Sequence, residues 1–184
     1  MKQDRIILGI DPGTNIMGYG VIHQQGTKIK LITMGVLKLG GYDNHPMKLK
    51  KIFERTLALI DEYHPDEMAL EAPFMGKNPQ SMLKLGRAQG VAMASGLYRN
   101  IPIFEYAPRK IKQSITGKGT ASKEQVAAML KHLVVMVDEP EYLDATDGLA
   151  AAVCHYLQKS HDGKQESYSG WGSFVKNNPR RITK

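Results

Sequence analysis

Four carboxylates set in apolar surroundings restrict this chain more than any other feature. Asp11 ends the run ILGI, Glu71 follows MAL, and Asp144 and Asp147 open DATDGLAAAV, which turns apolar after one turn. Burying one ionised carboxylate is costly unless a cation or a donor compensates it. A fold that brought all four together would set them repelling, and each would push up the pKa of the others. A divalent cation removes that repulsion, and hard cations such as Mg²⁺ take oxygen ligands. The pattern therefore points to a fold that converges four distant acids on a metal-dependent site. On spacing alone an alternative stands, with Asp144 a helix cap and Glu71 a rim charge.

The local patterns supply such a fold. Arg5 to Ile10 is short, apolar and β-branched, as a buried strand requires, and Pro12-Gly13 stops it just after Asp11. Gly18 to Ile22 and Lys28 to Leu39 read as two more strands joined at Gln25-Gly26, an antiparallel meander with the first. Leu49, Ile52, Phe53, Leu57 and Ile60 recur at helical spacing between Pro46 and Tyr63. A strand is expected over Glu67 to Ala72, a helix over Asn78 to Arg99 and a strand over Ile101 to Tyr106. Helices follow over Pro108 to Ile115, from Ser122 to His132 behind a Ser122/Gln125 capping box, and over Leu143 to Gln158.

The order β-β-β-α-β-α-β-α-α-α predicts an α/β fold, a mixed five-stranded sheet with helices on both faces. In such sheets the reactive site lies at carboxyl ends of strands, where Asp11 and Glu71 fall. Asp144 and Asp147, at i and i+3, share one helix face. The helix from Asn78 carries Met82, Leu85, Gln89, Met93 and Leu97 along one stripe, and Gly86, Gly90 and Gly96 inside it. Interior glycines cost up to about 1 kcal/mol each relative to alanine. They permit close approach of another helix, within the subunit or from a second copy.

Residues 1–159 read as one domain and residues 160–184 as a basic, flexible tail, in which Trp171 and Phe174 could dock or stack on a base. The formal net charge is +7 and the pI about 9.4. A basic surface around an acidic cluster is the charge layout of an enzyme that works on nucleic acid. The one cysteine, Cys154, excludes an internal disulfide and sits in an apolar run as a core residue. No run of about 18 apolar residues is present, so no membrane role and a cytoplasmic location are expected.

ILGIDPGTNIMGYGVI, LEAPFMGKNPQSMLKLGRAQGV, FEYAPRKIKQSITGKGTASKEQV and DATDGLAAAVCH together resemble the RuvC family of bacterial Holliday-junction resolvases, from about Ile6 to His155. DPGT alone also resembles the phosphate turn of actin-like kinases, but the chain is too short for the second half such a protein needs. The resemblance implies an RNase H-like fold and a homodimer that nicks two opposed strands of four-way junction DNA. It implies a two-metal hydrolysis leaving 5′-phosphate and 3′-hydroxyl ends, with two Mg²⁺ ions per subunit, or Mn²⁺, held by Asp11, Glu71, Asp144 and Asp147. It places Phe74 against bases at the crossover, and Lys112 and Lys123 on phosphates, with Lys118 and Arg109 as lesser contacts. The RuvAB branch-migration complex follows as a partner from the resemblance alone. The nearest rival is a related nuclease acting on ribosomal RNA precursors, and a junction binder without catalysis is a third reading. His155 and His64 lack partners at metal-ligand spacing and are expected to be structural.

Overall fold

The computed structural model describes residues 4–42, 44–73, 78–135 and 143–162. Five strands, β1 (Asp4–Asp11), β2 (Ile16–Gln25), β3 (Lys28–Lys38), β4 (Glu67–Glu71) and β5 (Ile103–Tyr106), form one sheet in the order β3-β2-β1-β4-β5. The first three make the expected antiparallel meander, and β4 and β5 add parallel to β1. Helices α1 (His45–Tyr63), α2 (Pro79–Tyr98), α3 (Pro108–Thr116), α4 (Lys123–Leu133) and α5 (Leu143–Asp162) cover both faces. None of the described helices is long and apolar enough to cross a membrane.

The caps explain the boundaries. Asn44 accepts from the Met47 N–H and Asn78 from those of Gln80 and Ser81, each followed by a proline in the first turn. His64 ends α1 in the left-handed region and Gly117 ends α3 there. The Ser122/Gln125 capping box is formed at the start of α4. The last helix runs four residues past its expected end at Gln158, so the expected boundary between domain and tail falls within it. Residues 163–184, with Trp171 and Phe174, lie outside the described residues.

Strand alternation sorts the core into two layers. Leu8 and Ile10 of β1 and Met68 and Leu70 of β4 pack with Ile52, Leu59 and Ile60 of α1 and Ala88 and Ala92 of α2. Ile7 and Ala69 point to the other face, against α3, α4 and α5. Alternation then assigns Asp11 and Glu71, the last residues of their strands, to the face that carries α5.

That helix lies unusually close to the sheet. A Cβ on Gly9 would stand 2.1 Å from the Gly148 carbonyl oxygen, and one on Gly18 2.2 Å from that of Asp144. The three small residues Gly9, Gly18 and Gly148 therefore set how deep α5 sinks, because any side chain there would meet backbone.

A buried polar network ties the second layer. Arg5 donates to Gln24 at 2.7 Å and to Glu67 at 2.7 Å. His155, fully buried, lies 2.8 Å from the same Glu67 oxygen and 2.6 Å from the Tyr106 hydroxyl, a structural role as expected. Cys154 is likewise in the core. The α2 stripe differs from the expectation. Its buried face is Ala88, Gln89, Ala92, Ser95 and Gly96, and Leu97 is 60% exposed. Small residues, rather than large ones, let α2 pack closely against α1, with Gly96 reaching Met68 and Ile103 of the sheet, and Leu97 is turned outward.

Candidate active site

Asp11 and Glu71 stand side by side because β1 and β4 are adjacent and parallel, with Ile10 in register with Leu70. Across the other edge of β1, Asp11 pairs with Gly18, the residue whose bare Cα admits the Asp144 carbonyl. One turn further along α5, Asp147 points into the same cleft. The register of β1 against β2 and the depth of α5 thus deliver three segments, far apart in sequence, to one place.

The cleft has a volume of about 650 Å³, and Asp11, Glu71, Asp147, Arg109, Lys112 and Lys123 are among the residues lining it. Lys123 donates to Asp147 at 2.5 Å and to Asp144 at 3.2 Å, which joins Asp144 to the group. All four acids expected from the sequence therefore belong to one cluster.

The electrostatics are those of uncompensated anions. Burial, reinforced by the charges of Asp147 and Asp144 against the opposing pull of Lys123, pushes the Asp11 carboxyl up to about 7. Burial and the charges of Asp11 and Asp147 push Glu71 up to about 8, with Lys123 and Lys112 pulling the other way. Burial also raises Asp147, in spite of its bond to Lys123. Desolvation disfavours the Lys123 ammonium, but its bonds to Asp147 and Asp144 outweigh that and hold its pKa above the usual lysine range. Asp147 is the better shielded of its two partners, 16% exposed against 43% for Asp144.

Among the described residues, no three acidic, histidine or cysteine side chains stand close enough together to hold a metal ion. The positive charge nearest Asp144 and Asp147 is the Lys123 ammonium. The donor set is nonetheless all carboxylate oxygen, the type that Mg²⁺ or Mn²⁺ takes, and no ion pair to Asp11 or Glu71 is formed among the described residues.

The expected phosphate contacts fall into three groups. Lys112 and Arg109 line the cleft from α3, and Arg109 also lies along Gly119. Lys123 is bound to the carboxylates. Lys118 is exposed on the loop beyond α3, outside the cleft lining, with its backbone tied to the Thr116 hydroxyl. Phe74, the third residue after β4 in the sequence, lies outside the described residues. Sequence reasoning missed Gln89 as a cleft residue. It is buried, donates to Glu105 at 2.6 Å and lines the cleft beside Glu71. Its one signal was a polar side chain on a face otherwise made of small and apolar residues.

Comparison with known proteins bears on the family and the fold. The family model "Crossover junction endodeoxyribonuclease RuvC" matches residues 7–155. A protein of that name from Cytophaga hutchinsonii is 61% identical over 179 residues, 97% of this chain and 88% of its own length. Another from Bacteroides fragilis is 58% identical over 182 residues, 98% of this chain and 97% of its own. Among solved structures, T. thermophilus RuvC in complex with Holliday junction substrate superposes with a TM-score of 0.79 at 27% identity, over 86% of this chain and 96% of that one. The yeast mitochondrial Holliday junction resolvase Ydc2 shares the fold, with a TM-score of 0.68 at 15% identity, over 93% of this chain and 83% of that one. With the matched span running from the first strand through both acids of α5, the chain belongs to the RuvC family of crossover junction endodeoxyribonucleases.

Proposed function

We propose that this chain resolves Holliday junctions as a homodimer, each subunit hydrolysing one phosphodiester with two Mg²⁺ ions, or Mn²⁺, and leaving 5′-phosphate and 3′-hydroxyl ends. The observation that carries the reading is the meeting of Asp11, Glu71 and Asp147 in one cleft, their carboxyls pushed upward first by burial and then by neighbouring carboxylates of the cluster. Such a cluster holds divalent cations well, because each bound charge relieves both the burial cost and the mutual repulsion. Asp11, central among the four, would be the shared ligand, with Glu71, Asp144 and Asp147 completing the set. Bound there, divalent ions supply an activated water and stabilise the charge on the departing oxygen.

The remaining steps fall to the protein. Lys112 and Arg109 face the cleft as cations for the phosphates on either side of the scissile one. Lys123 holds Asp144 and Asp147 in place and is near enough to turn its ammonium to the substrate phosphate once those carboxylates are otherwise engaged. The apolar walls of Leu85, Ala107 and Pro108 limit water around the reacting group. Phe74 would stack on an unpaired base at the crossover, a contact worth about 1–3 kcal/mol.

Two-fold symmetry in the enzyme would mirror that of the junction, and α2 offers the surface. Leu83, Leu97 and Tyr98 are 64%, 60% and 66% exposed. Gly96 packs inside the subunit against Met68 and Ile103, but a Cβ on Gly86 or Gly90 would meet nothing within 4 Å. Two of the three helix glycines are thus unexplained by the subunit's own packing and suit a close helix from a second copy. Replacing Leu83 and Leu97 by Glu should give monomers in sedimentation and uncoordinated nicks. Retained dimers would move the interface elsewhere. A RuvAB branch-migration complex as partner follows from family membership.

The deciding experiment presents a synthetic four-way junction, a duplex and a single strand, each with Mg²⁺ and with EDTA. Paired, symmetric, Mg²⁺-dependent nicks in the junction alone are expected. Junction binding without cleavage, or cleavage of single strands without junction preference, would overturn the reading.

A further inference from the structure

A second cavity, of about 320 Å³, opens beside the cleft and is lined by Thr14, Asn15, His45, Lys48, Ser81 and Lys84. Its lining contains no acidic residue. Three segments meet there: the turn between β1 and β2, the first turns of α1 and the first turns of α2. Neither helix has an acidic residue in its first turn, so the positive ends of both macrodipoles are uncompensated.

The side chains add to that field. Lys48 reaches the Asn15 side-chain oxygen at 3.4 Å, which brings its ammonium across the cavity mouth. His45 has its Nε2 atom buried with no hydrogen-bond partner among the described residues. Desolvation and the nearby cations Arg87, Lys84 and Lys48 lower the pKa of that ring, so it is a neutral donor or acceptor in a cationic setting. An orphaned polar atom, two lysines, two hydroxyl residues and two helix starts are the parts of an anion site.

We propose that this cavity binds a backbone phosphate of the DNA, outside the scissile position, and so fixes the path of the strand that enters the cleft. Continuity argues for a polymer over a free anion. The turn that carries Asp11 and Pro12 in the cleft carries Thr14 and Asn15 in the cavity, and α2 lends Leu85 and Gln89 to one and Ser81 and Lys84 to the other. A single strand can therefore lie along both without leaving the protein. The proposal rests on the junction-nuclease reading only for which DNA is bound.

The test is binding of a fluorescent four-way junction in EDTA from 50 to 200 mM salt. Lys48→Ala with Lys84→Ala should flatten the log–log salt slope by about 0.9, the loss of one neutralised phosphate. Lys48→Arg with Lys84→Arg should keep the slope, and Ser81→Asp should weaken binding without lowering the melting temperature. An unchanged slope in the double alanine variant overturns the proposal. So does saturable binding of inorganic phosphate, seen in the His45 ring resonances, with the DNA slope unchanged, since that marks a free-anion site. Nicking by the parent protein is scored separately. If the slope falls but the junction is never nicked, the phosphate site stands and the nuclease reading fails.

Discussion

Gly148→Ala sets two known effects against each other. In an exposed helix interior, alanine is better than glycine by about 1 kcal/mol. Here the new Cβ would stand 2.4 Å from the Tyr19 Cα, 2.5 Å from its nitrogen and 2.6 Å from the Gly18 carbonyl carbon. All three are backbone atoms, so no rotamer change relieves the contact. Reaching an ordinary 3.4 Å separation means lifting α5 by about 1.0 Å. Overpacking of this kind costs about 1–3 kcal/mol, and a backbone clash belongs at the upper end. The net loss is about 2 kcal/mol, or roughly 4–8 °C in melting temperature for a chain of this size. Asp147 precedes the substituted residue and would move with it. A misplacement of about 1 Å at a reacting centre costs on the order of 100-fold in rate. Calorimetry and single-turnover cleavage of a labelled junction measure the two effects, with Gly40→Ala as the control, since its Cβ meets nothing within 4 Å. A variant that melts at or above the parent temperature and cleaves at the parent rate would refute the claim that α5 depth sets the site.

The carboxylates give a pH prediction. Asp11 and Glu71 hold protons to about 7 and about 8 in the folded protein, above their unfolded values. The folded state therefore binds more protons between about pH 4 and pH 8, and metal-free stability falls as pH rises through that window. Asp11→Asn should raise metal-free stability at pH 8 by at least about 1 kcal/mol and abolish cleavage while junction binding persists. A pH-independent melting temperature in EDTA, or retained cleavage, would contradict the assignment. Arg5→Ala leaves Glu67 without its buried cation and should cost about 3–5 kcal/mol, read by denaturant unfolding; a loss below about 1 kcal/mol would mean that His155 alone satisfies Glu67.

The element order was legible because punctuation was strong: Pro12-Gly13, Pro65 and Pro73 each mark an end, and Pro108 a helix start, that the structure keeps. The placement of Asp11 and Glu71 at strand ends was legible for the same reason. Lys123 was not. Read along the chain it is a lysine at a helix start, and only the packing of α4 beside α5 turns it into the partner of Asp144 and Asp147. The second cavity was equally hidden, since Asn15, Lys48 and Lys84 are ordinary surface residues until three segments meet. The helix glycines were ambiguous in sequence, and packing separates them: Gly96 is used within the subunit, and Gly86 and Gly90 face outward.

The dependence of the site on α5 has a consequence for the chain during its synthesis. Asp11 and Asp147 are 136 positions apart, by difference of their numbers. A ribosome needs on the order of ten seconds to travel that far. Until α5 has emerged, the sheet lacks much of one apolar layer and Asp11 and Glu71 have no third acid beside them. On the proposed roles of the four acids, a chain terminated before α5 should not cut, which a junction-cleavage assay of a chain ending at Leu133 would check. Of the segments that build the cluster, α5 is the last to be synthesised, so the cluster is complete only late in synthesis.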